Sequence, residues 1–212
     1  MTMDLFDREA ERRPLGEGAV VLRAFALGVD RELLAAVDAV ASEAPFRNMV
    51  TSQGRMSVAM TNCGALGWVT DRRGYRYDAC DPEGGRAWPA MPAPFTKLAE
   101  LAASRAGFER FAPDACLINR YDPRARMSLH QDKDERDFAQ PIVSVSLGLP
   151  ATFLFGGLKR TDPTERVTLE HGDVVVWGGS SRLRYHGVLA LREGHHPIVG
   201  GHRINLTLRK AG

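Results

Sequence analysis

His130 and Asp132 stand two positions apart with Gln131 between them, and a third candidate, His186, follows in Tyr185-His186-Gly187. In an extended segment residues i and i+2 point the same way, so His130 and Asp132 can grip one ion from a single strand end while Gln131 faces elsewhere. Two histidines and one carboxylate leave half of an octahedral iron open for a co-substrate and O2. A His-x-Asp tripeptide is weak by itself, so the weight falls on its partners. The six histidines are His130, His171, His186, His195, His196 and His202. His171 sits in a Glu-His-Gly-Asp turn that favours local hydrogen bonding, and His195, His196 and His202 lie in a glycine-rich loop. His186 is the better third ligand, because it opens an apolar stretch just after a strand-like run over 173–177.

Near the C-terminal end, Arg203, Asn205, Thr207 and Arg209 share one face of a strand while Ile204, Leu206 and Leu208 share the other. A solvated edge strand would alternate in the same way. That reading does not account for two arginines bracketing Asn and Thr downstream of a candidate metal histidine. At a rise of about 3.3 Å per residue the two arginine backbones are roughly 20 Å apart, so their side chains can lean inward and clamp both ends of a short diacid. Arginine–carboxylate pairing supplies affinity and orientation together. Asn119 and Tyr121 share a face on an earlier strand and offer an amide and a phenol as hydrogen-bond donors.

The elements that must position these groups follow from periodicity. Asp30 is placed to cap a helix over 31–44 with Leu33, Leu34, Val37, Val40 and Ala41 as its apolar stripe. A second helix is predicted over 94–106, with Phe95, Leu98 and Leu101 inward and Gly107 after it. Between them, 46–91 is rich in Gly, Thr, Met and aromatics and reads as short hairpins forming a lid. Strands are predicted over 116–121, 141–149, 152–155, 166–170, 173–177 and 203–209, separated by turn-formers such as Gly156-Gly157 and Gly178-Gly179. The expected fold is mainly β with flanking α-helices, a jelly-roll core over 116–212 preceded by an extension over 1–115, in one domain of 212 residues.

Apolar residues make up 44% and charged residues 25%, ordinary for a folded globular chain. The net charge of +2 permits a nucleic-acid partner without requiring one. Arginine outnumbers lysine 24 to 4; this suits oxyanion binding, although genome-wide compositional drift explains it better. No apolar run resembles a signal peptide or a membrane span, so a cytoplasmic, membrane-independent protein is expected. Cys63, Cys80 and Cys116 are odd in number and widely spaced, and free, mostly buried thiols are the expectation.

Asn119-Arg120-Tyr121, Ser128-Leu129-His130-Gln131-Asp132-Lys133-Asp134-Glu135, Phe155-Gly156-Gly157, His171-Gly172-Asp173-Val174-Val175-Val176-Trp177, Tyr185-His186-Gly187 and Arg203-x-Asn205-x-Thr207-x-Arg209 together resemble the AlkB family of bacterial DNA dealkylation repair dioxygenases. The resemblance extends to Asp4-Leu5-Phe6 and to 56–64, and so covers nearly the whole chain. It implies a double-stranded β-helix carrying one Fe(II) on His130, Asp132 and His186, with 2-oxoglutarate and O2 as co-substrates. Arg203 is implied to pair with the far carboxylate of 2-oxoglutarate and Arg209 to lie near the one beside the keto group. Asn119, Tyr121 and Asn205 complete that site, with Arg120 and Thr207 counted from the same motifs. The implied nucleotide-recognition lid holds Trp68, Tyr75, Arg76 and Tyr77, with Trp68 stacking the damaged base against His130. Asp134 approaches the base edge, and Arg160 lies at the substrate rim. The implied activity is oxidative demethylation of 1-methyladenine and 3-methylcytosine, in single-stranded DNA, in duplex DNA by base flipping, and in RNA, by a monomer. Ile204 and Leu208 stand where the family often has aromatics, and 192–202 is the least familiar stretch.

The substrate residues have ordinary readings too. Trp68 and Tyr75 would serve equally as packing aromatics, and Asp134 and Glu135 as solvated acids, with Glu135 the weaker substrate candidate. Lys133, Arg72, Arg73, Arg76 and Arg160 are candidate phosphate contacts or plain surface charge. Two other functions fit parts of the pattern. A hydroxylase of a small molecule or protein side chain would keep the iron and arginine sites but have no use for a base-stacking Trp68. A non-catalytic nucleic-acid-binding module would need neither iron nor co-substrate.

Overall fold

Runs of aliphatic and β-branched residues build the strands, and the turns between them cut the strands to length. The computed structural model describes residues 11–51 and 54–212; the Asp4-Leu5-Phe6 match lies outside them. In chain order the elements are β1 (Arg12–Gly16), β2 (Ala19–Leu22), α1 (Asp30–Glu43), β3 (Val50–Thr51), β4 (Gly54–Arg55), β5 (Ala59–Gly64), β6 (Gly67–Asp71) and β7 (Gly74–Asp78). They continue with α2 (Ala93–Arg105), β8 (Ala115–Tyr121), β9 (Met127–His130), β10 (Ile142–Gly148), β11 (Ala151–Phe155), β12 (Glu165–Leu169), β13 (Val174–Trp177), β14 (His186–Val188) and β15 (Arg203–Arg209).

A seven-stranded sheet in the order β1-β2-β13-β10-β15-β8-β5 faces a four-stranded sheet in the order β12-β11-β14-β9, forming a jelly roll. The strand alternation explains how one sheet is buried twice. Val20, Leu22, Val143, Val145, Val174, Val176, Leu206 and Leu208 point outward and pack with Leu33, Val37 and Val40 of α1 and Phe95 and Leu98 of α2. The opposite face carries Val21, Leu117, Tyr121, Ile142, Val175 and Trp177, which pack with Phe153, Phe155, Val167 and Leu169 of the small sheet. β15 is therefore a central strand, buried along its whole length between β10 and β8. That removes the solvated-edge reading of its alternation.

The helix ends differ in part from expectation. Asp30 begins α1, but Val29 holds the cap position and no side chain caps the helix. The Asp30 carboxylate instead accepts a 2.9 Å hydrogen bond from His171 Nε2, while His171 Nδ1 accepts from the Gly148 amide at 2.9 Å. His171 thus ties distant segments together rather than bonding locally. α2 ends in a Schellman arrangement, with Gly107 at φ +91 and its amide bonded to Ser104, while the Phe108 amide reaches Ala103. Ala99, Ala102 and Ala103 share its buried face, and Leu101 is only half-buried.

Within 46–91, β3–β4 and β6–β7 are two-stranded hairpins. β5 departs from the hairpin expectation: it joins the edge of the large sheet beside β8, with Cys63 opposite Cys116. Those two cysteines are buried and free, and Cys80 is free and exposed. Periodicity does not mark β2, β9 and β14, which have only three or four residues each, nor β1, which is mostly exposed. No helix among the described residues is long and apolar enough to cross a membrane.

Phe95 is fully buried where α2 meets the large sheet. Phe95→Ala is expected to cost about 3–5 kcal/mol of unfolding free energy, read from the urea midpoint. A loss under about 1 kcal/mol would show that α2 is not part of the cooperative core.

Candidate metal centre and co-substrate pocket

β9 and β14 pair antiparallel with His130 directly opposite His186, which brings the imidazole centroids to 4.4 Å. The strands approach closely there. A Cβ on Gly187 would sit 2.8 Å from the Met127 carbonyl oxygen, so only glycine fits beside the second histidine. His130 Nδ1 donates to the Ser128 carbonyl at 2.8 Å, and His186 Nδ1 donates to the Arg184 carbonyl at 3.0 Å. With Nδ1 protonated, each ring turns an Nε2 lone pair toward the centre. Asp132 follows β9 and places Oδ1 3.7 Å from His130 Nε2 and Oδ2 3.7 Å from His186 Nε2. The ligand atoms of all three lie within 4.8 Å of one another. Gln131 turns away and donates to the Leu183 carbonyl at 2.6 Å.

The protonation states suit a cation. Burial, reinforced by His130, pushes His186 down to about 4, so its imidazole is neutral near pH 7. Burial would raise Asp132, but Arg209, His186 and His130 outweigh it and hold the carboxyl well below its usual range. Arg209 donates to Asp132 Oδ2 from Nε at 3.0 Å and from Nη2 at 2.7 Å.

The three groups open onto a pocket of about 50 Å³ between the sheets, enough for a few waters or a short chain of atoms. Arg203 stands in its wall, 1% exposed. Its Nη2 donates to Ser146 Oγ at 2.9 Å and its guanidinium lies 5.0 Å from the Tyr121 ring centroid. Among the described residues, Arg203 Nε, Arg203 Nη1 and Arg209 Nη1 are buried without a hydrogen-bond partner. Buried cationic donors left unpaired are costly, and a dicarboxylate would satisfy both arginines. Asn205 is oriented between them by donating to Ser144 Oγ at 2.8 Å and accepting from Thr207 Oγ1 at 3.0 Å and Asn119 Nδ2 at 3.3 Å. Two imidazole Nε2 atoms turned inward, an anionic carboxylate and orphaned guanidinium donors together fit Fe(II) with 2-oxoglutarate.

Most residues singled out in the sequence meet at this pocket: His130, Asp132, His186, Asn119, Tyr121, Arg203, Asn205, Thr207 and Arg209 all line it. Arg120 does not, because it lies on the other face of β8 and pairs with Asp122 at 3.2 Å. In the β6–β7 hairpin, Trp68 stands opposite Tyr77 and stacks on Tyr75 at 5.5 Å and 19°. Trp68 Nε1 donates to Asp134 Oδ2 at 2.9 Å, and the Tyr77 hydroxyl donates to Glu135 Oε1 at 2.7 Å. Arg76 is engaged by Asp71 at 3.0 Å and Asp78 at 3.3 Å, which weakens it as a phosphate contact. Arg160 is exposed in the loop after β11, whose Gly156 and Gly157 bond to Tyr185 beside His186. Glu135 is buried rather than solvated. Ser144 and Ser146 were missed, although two serines on one face of an otherwise apolar strand are a readable signal.

A jelly roll with a His-x-Asp…His cluster between its sheets and two buried arginines on one central strand defines a 2-oxoglutarate-dependent oxygenase, and the model of the 2OG-Fe(II) oxygenase superfamily matches residues 18–209. The chain is 59% identical to the alpha-ketoglutarate-dependent dioxygenase AlkB of Escherichia coli K12 over 99% of this chain and 98% of that protein. It is 48% identical to an AlkB homolog of Caulobacter vibrioides over 87% of this chain and 83% of that one. The chain belongs to the AlkB family of 2-oxoglutarate- and Fe(II)-dependent dioxygenases. The solved structure of OsALKBH1 superposes with a TM-score of 0.82 at 28% identity, covering 94% of this chain and 100% of that chain. The enzyme accordingly works with Fe(II), 2-oxoglutarate and O2.

Two substitutions probe the pocket. Asp132→Ala should leave soluble protein that retains no stoichiometric iron and forms no succinate; iron content and turnover at the unmutated level would remove Asp132 from the ligand set. Arg203→Ala should raise the KM for 2-oxoglutarate about 30-fold or more, as expected for truncating one partner of a buried charge pair. An unchanged KM would exclude Arg203 from the clamp.

Proposed function

We propose that this chain repairs alkylated nucleic acid by oxidative demethylation of 1-methyladenine and 3-methylcytosine. Single-stranded DNA is the preferred substrate, duplex DNA is served by base flipping, and RNA is accepted. The observation that carries this reading is the hairpin shelf: Trp68 stacked on a Tyr75 that is 56% exposed, with Asp134 at the indole edge, joined to the loop that carries Asp132. A hydroxylase of small molecules has no use for an exposed aromatic shelf of this kind.

In this reading one Fe(II) is held by His130, Asp132 and His186. Arg203, with Ser146 and Tyr121 beside it, binds the far carboxylate of 2-oxoglutarate. Arg209 stands by the carboxylate next to the keto group, and Asn119, Asn205 and Thr207 line the space between. Bound iron, with 2-oxoglutarate and O2, supplies the oxidation that places a hydroxyl on the N-methyl carbon while 2-oxoglutarate leaves as succinate and CO2. The hydroxymethyl base then releases formaldehyde and a proton, restoring the neutral base without a protein general base. The chain's own residues bind, orient and exclude side reactions.

Both target bases are cations that have lost Watson–Crick pairing, so a lesion is cheaper to extrude than an intact base. Stacking on Trp68 contributes about 1–3 kcal/mol per base, with His130 as the opposing wall. Asp134 supplies the matching negative charge by exchanging its bond from Trp68 for one to the base. Lys133, Arg72, Arg73 and Arg160 are exposed and meet the phosphates. The 46–91 hairpins act as the lid, and the enzyme works as a cytoplasmic monomer.

Trp68→Ala should weaken binding of a 1-methyladenine oligonucleotide about 30-fold, the middle of the stacking range, with iron and 2-oxoglutarate binding unchanged. Formaldehyde and restored base, followed by mass spectrometry on matched methylated DNA and RNA, test the reaction itself. No formaldehyde above the level seen without methylated nucleic acid would sink the proposal.

A further inference from the structure

Arg182 does not line the pocket, yet it is 3% exposed and lies four residues before His186. Its guanidinium grips the loop that begins at Asp132 in three directions. Nε donates to the Gln140 carbonyl at 3.0 Å and Nη1 to the Asp132 carbonyl at 2.8 Å. Nη2 forms an ion pair with Glu135 Oε2 at 3.1 Å, and the Phe138 ring lies 5.5 Å from the guanidinium. The stretch 131–141 contains no helix or strand, so its shape is set by such contacts. The anchoring side is firm. Arg182 follows a short 3-10 turn whose Ser181 hydroxyl donates to the Glu17 carbonyl at 2.6 Å. Leu183 and Arg184, the next two residues, offer their carbonyls to Gln131 and to His186 Nδ1.

We infer that Arg182 is a positioning residue of the metal centre: it staples the loop carrying Asp132 to the segment leading into His186 and thereby fixes the spacing of the three ligands, with Glu135 as its buried counter-charge. The chemistry requires arginine. Only a planar fork of five donors reaches two carbonyls and a carboxylate at once, whereas a lysine ammonium is a compact point charge. Glu135 extends the same network, because its Oε1 lies 3.3 Å from Arg209 Nε and accepts from the Tyr77 hydroxyl. Two buried cations, Arg182 and Arg209, are thus balanced by two buried anions, Asp132 and Glu135, and the β6–β7 hairpin is tied to the same hub. The inference rests on His130, Asp132 and His186 being the ligands.

Co(II) serves as the spectroscopic probe of the ligand field, titrated into metal-free protein without 2-oxoglutarate or nucleic acid. Arg182→Lys should lower Co(II) affinity about 10–100-fold, the range for losing an outer-shell partner, and shift or broaden the visible Co(II) bands. Phe95→Ala controls for stability alone: it weakens the fold from the helix side and should leave affinity and spectrum as in the unmutated protein. An Arg182→Lys protein that binds Co(II) with unaltered affinity and spectrum overturns the inference, as does an equal change in Phe95→Ala. If Arg182→Lys does not fold, Glu135→Gln decides, since it removes the counter-charge while keeping a partner for Tyr77. Weakened Co(II) binding supports the staple, and unchanged binding overturns it. Failure of the unmutated chain to bind Co(II) would instead remove the ligand assignment on which the inference stands.

Discussion

One largely covered carboxylate, that of Asp132, with its side chain 10% exposed, sets the terms for the whole site. It lies within 3.7 Å of both imidazole Nε2 atoms and receives two donors from Arg209. An anion taken out of water costs several kcal/mol unless it is paired. Arg209 supplies that pairing before any ion arrives, so Asp132 stays ionised and aimed. Its oxygens are never left to find a proton instead. The same pairing explains why Arg209 must rise from the floor of a sheet rather than from a surface loop: a guanidinium in water would be a weaker and less directed partner.

The architecture is the means of bringing that arginine to that carboxylate. β15 is central in the large sheet and buried on both faces, with aliphatic side chains toward the helices and Arg203, Asn205, Thr207 and Arg209 toward the small sheet. β9 and β14 lie at one edge of the small sheet and present His130 and His186 across from it. The two sheets therefore divide the chemistry. One side carries the imidazoles and the other the guanidinium groups, with Asp132 between them. The β6–β7 hairpin reaches the site through Trp68 and Tyr77, a cross-strand pair that donates to the consecutive acids Asp134 and Glu135. The hairpin and the loop that carries Asp132 are thus joined by two hydrogen bonds.

Short-range spacing grouped the candidate residues, and the family resemblance selected among them. His130 and Asp132 share a face because strand geometry has a period of two, and the alternation over 203–209 separated the polar from the apolar face of β15. What spacing did not show was decided by contacts between distant parts of the chain. Arg120 carries the same charge as Arg203 but falls on the wrong face of β8. Glu135 stands in a run of charges that reads as solvated, and only the approach of Tyr77, Arg182 and Arg209 makes it a buried hub. Asp30 has the composition of a helix cap yet is drawn to His171, 141 residues away. β5 looks like part of a lid because its sequence resembles its neighbours, whereas its pairing with β8 is set by register.

In the proposed site, one cradle of His130, Asp132 and His186 holds iron beside a pocket that Arg203 and Arg209 shape for a 2-oxoacid. The direct measurement is an anaerobic titration of metal-free protein with Fe(II) and then 2-oxoglutarate, following the visible charge-transfer absorption of an iron–2-oxoacid chelate. The band is expected to saturate at one iron and one 2-oxoglutarate per chain. Stoichiometric iron uptake with no band on adding 2-oxoglutarate would contradict it.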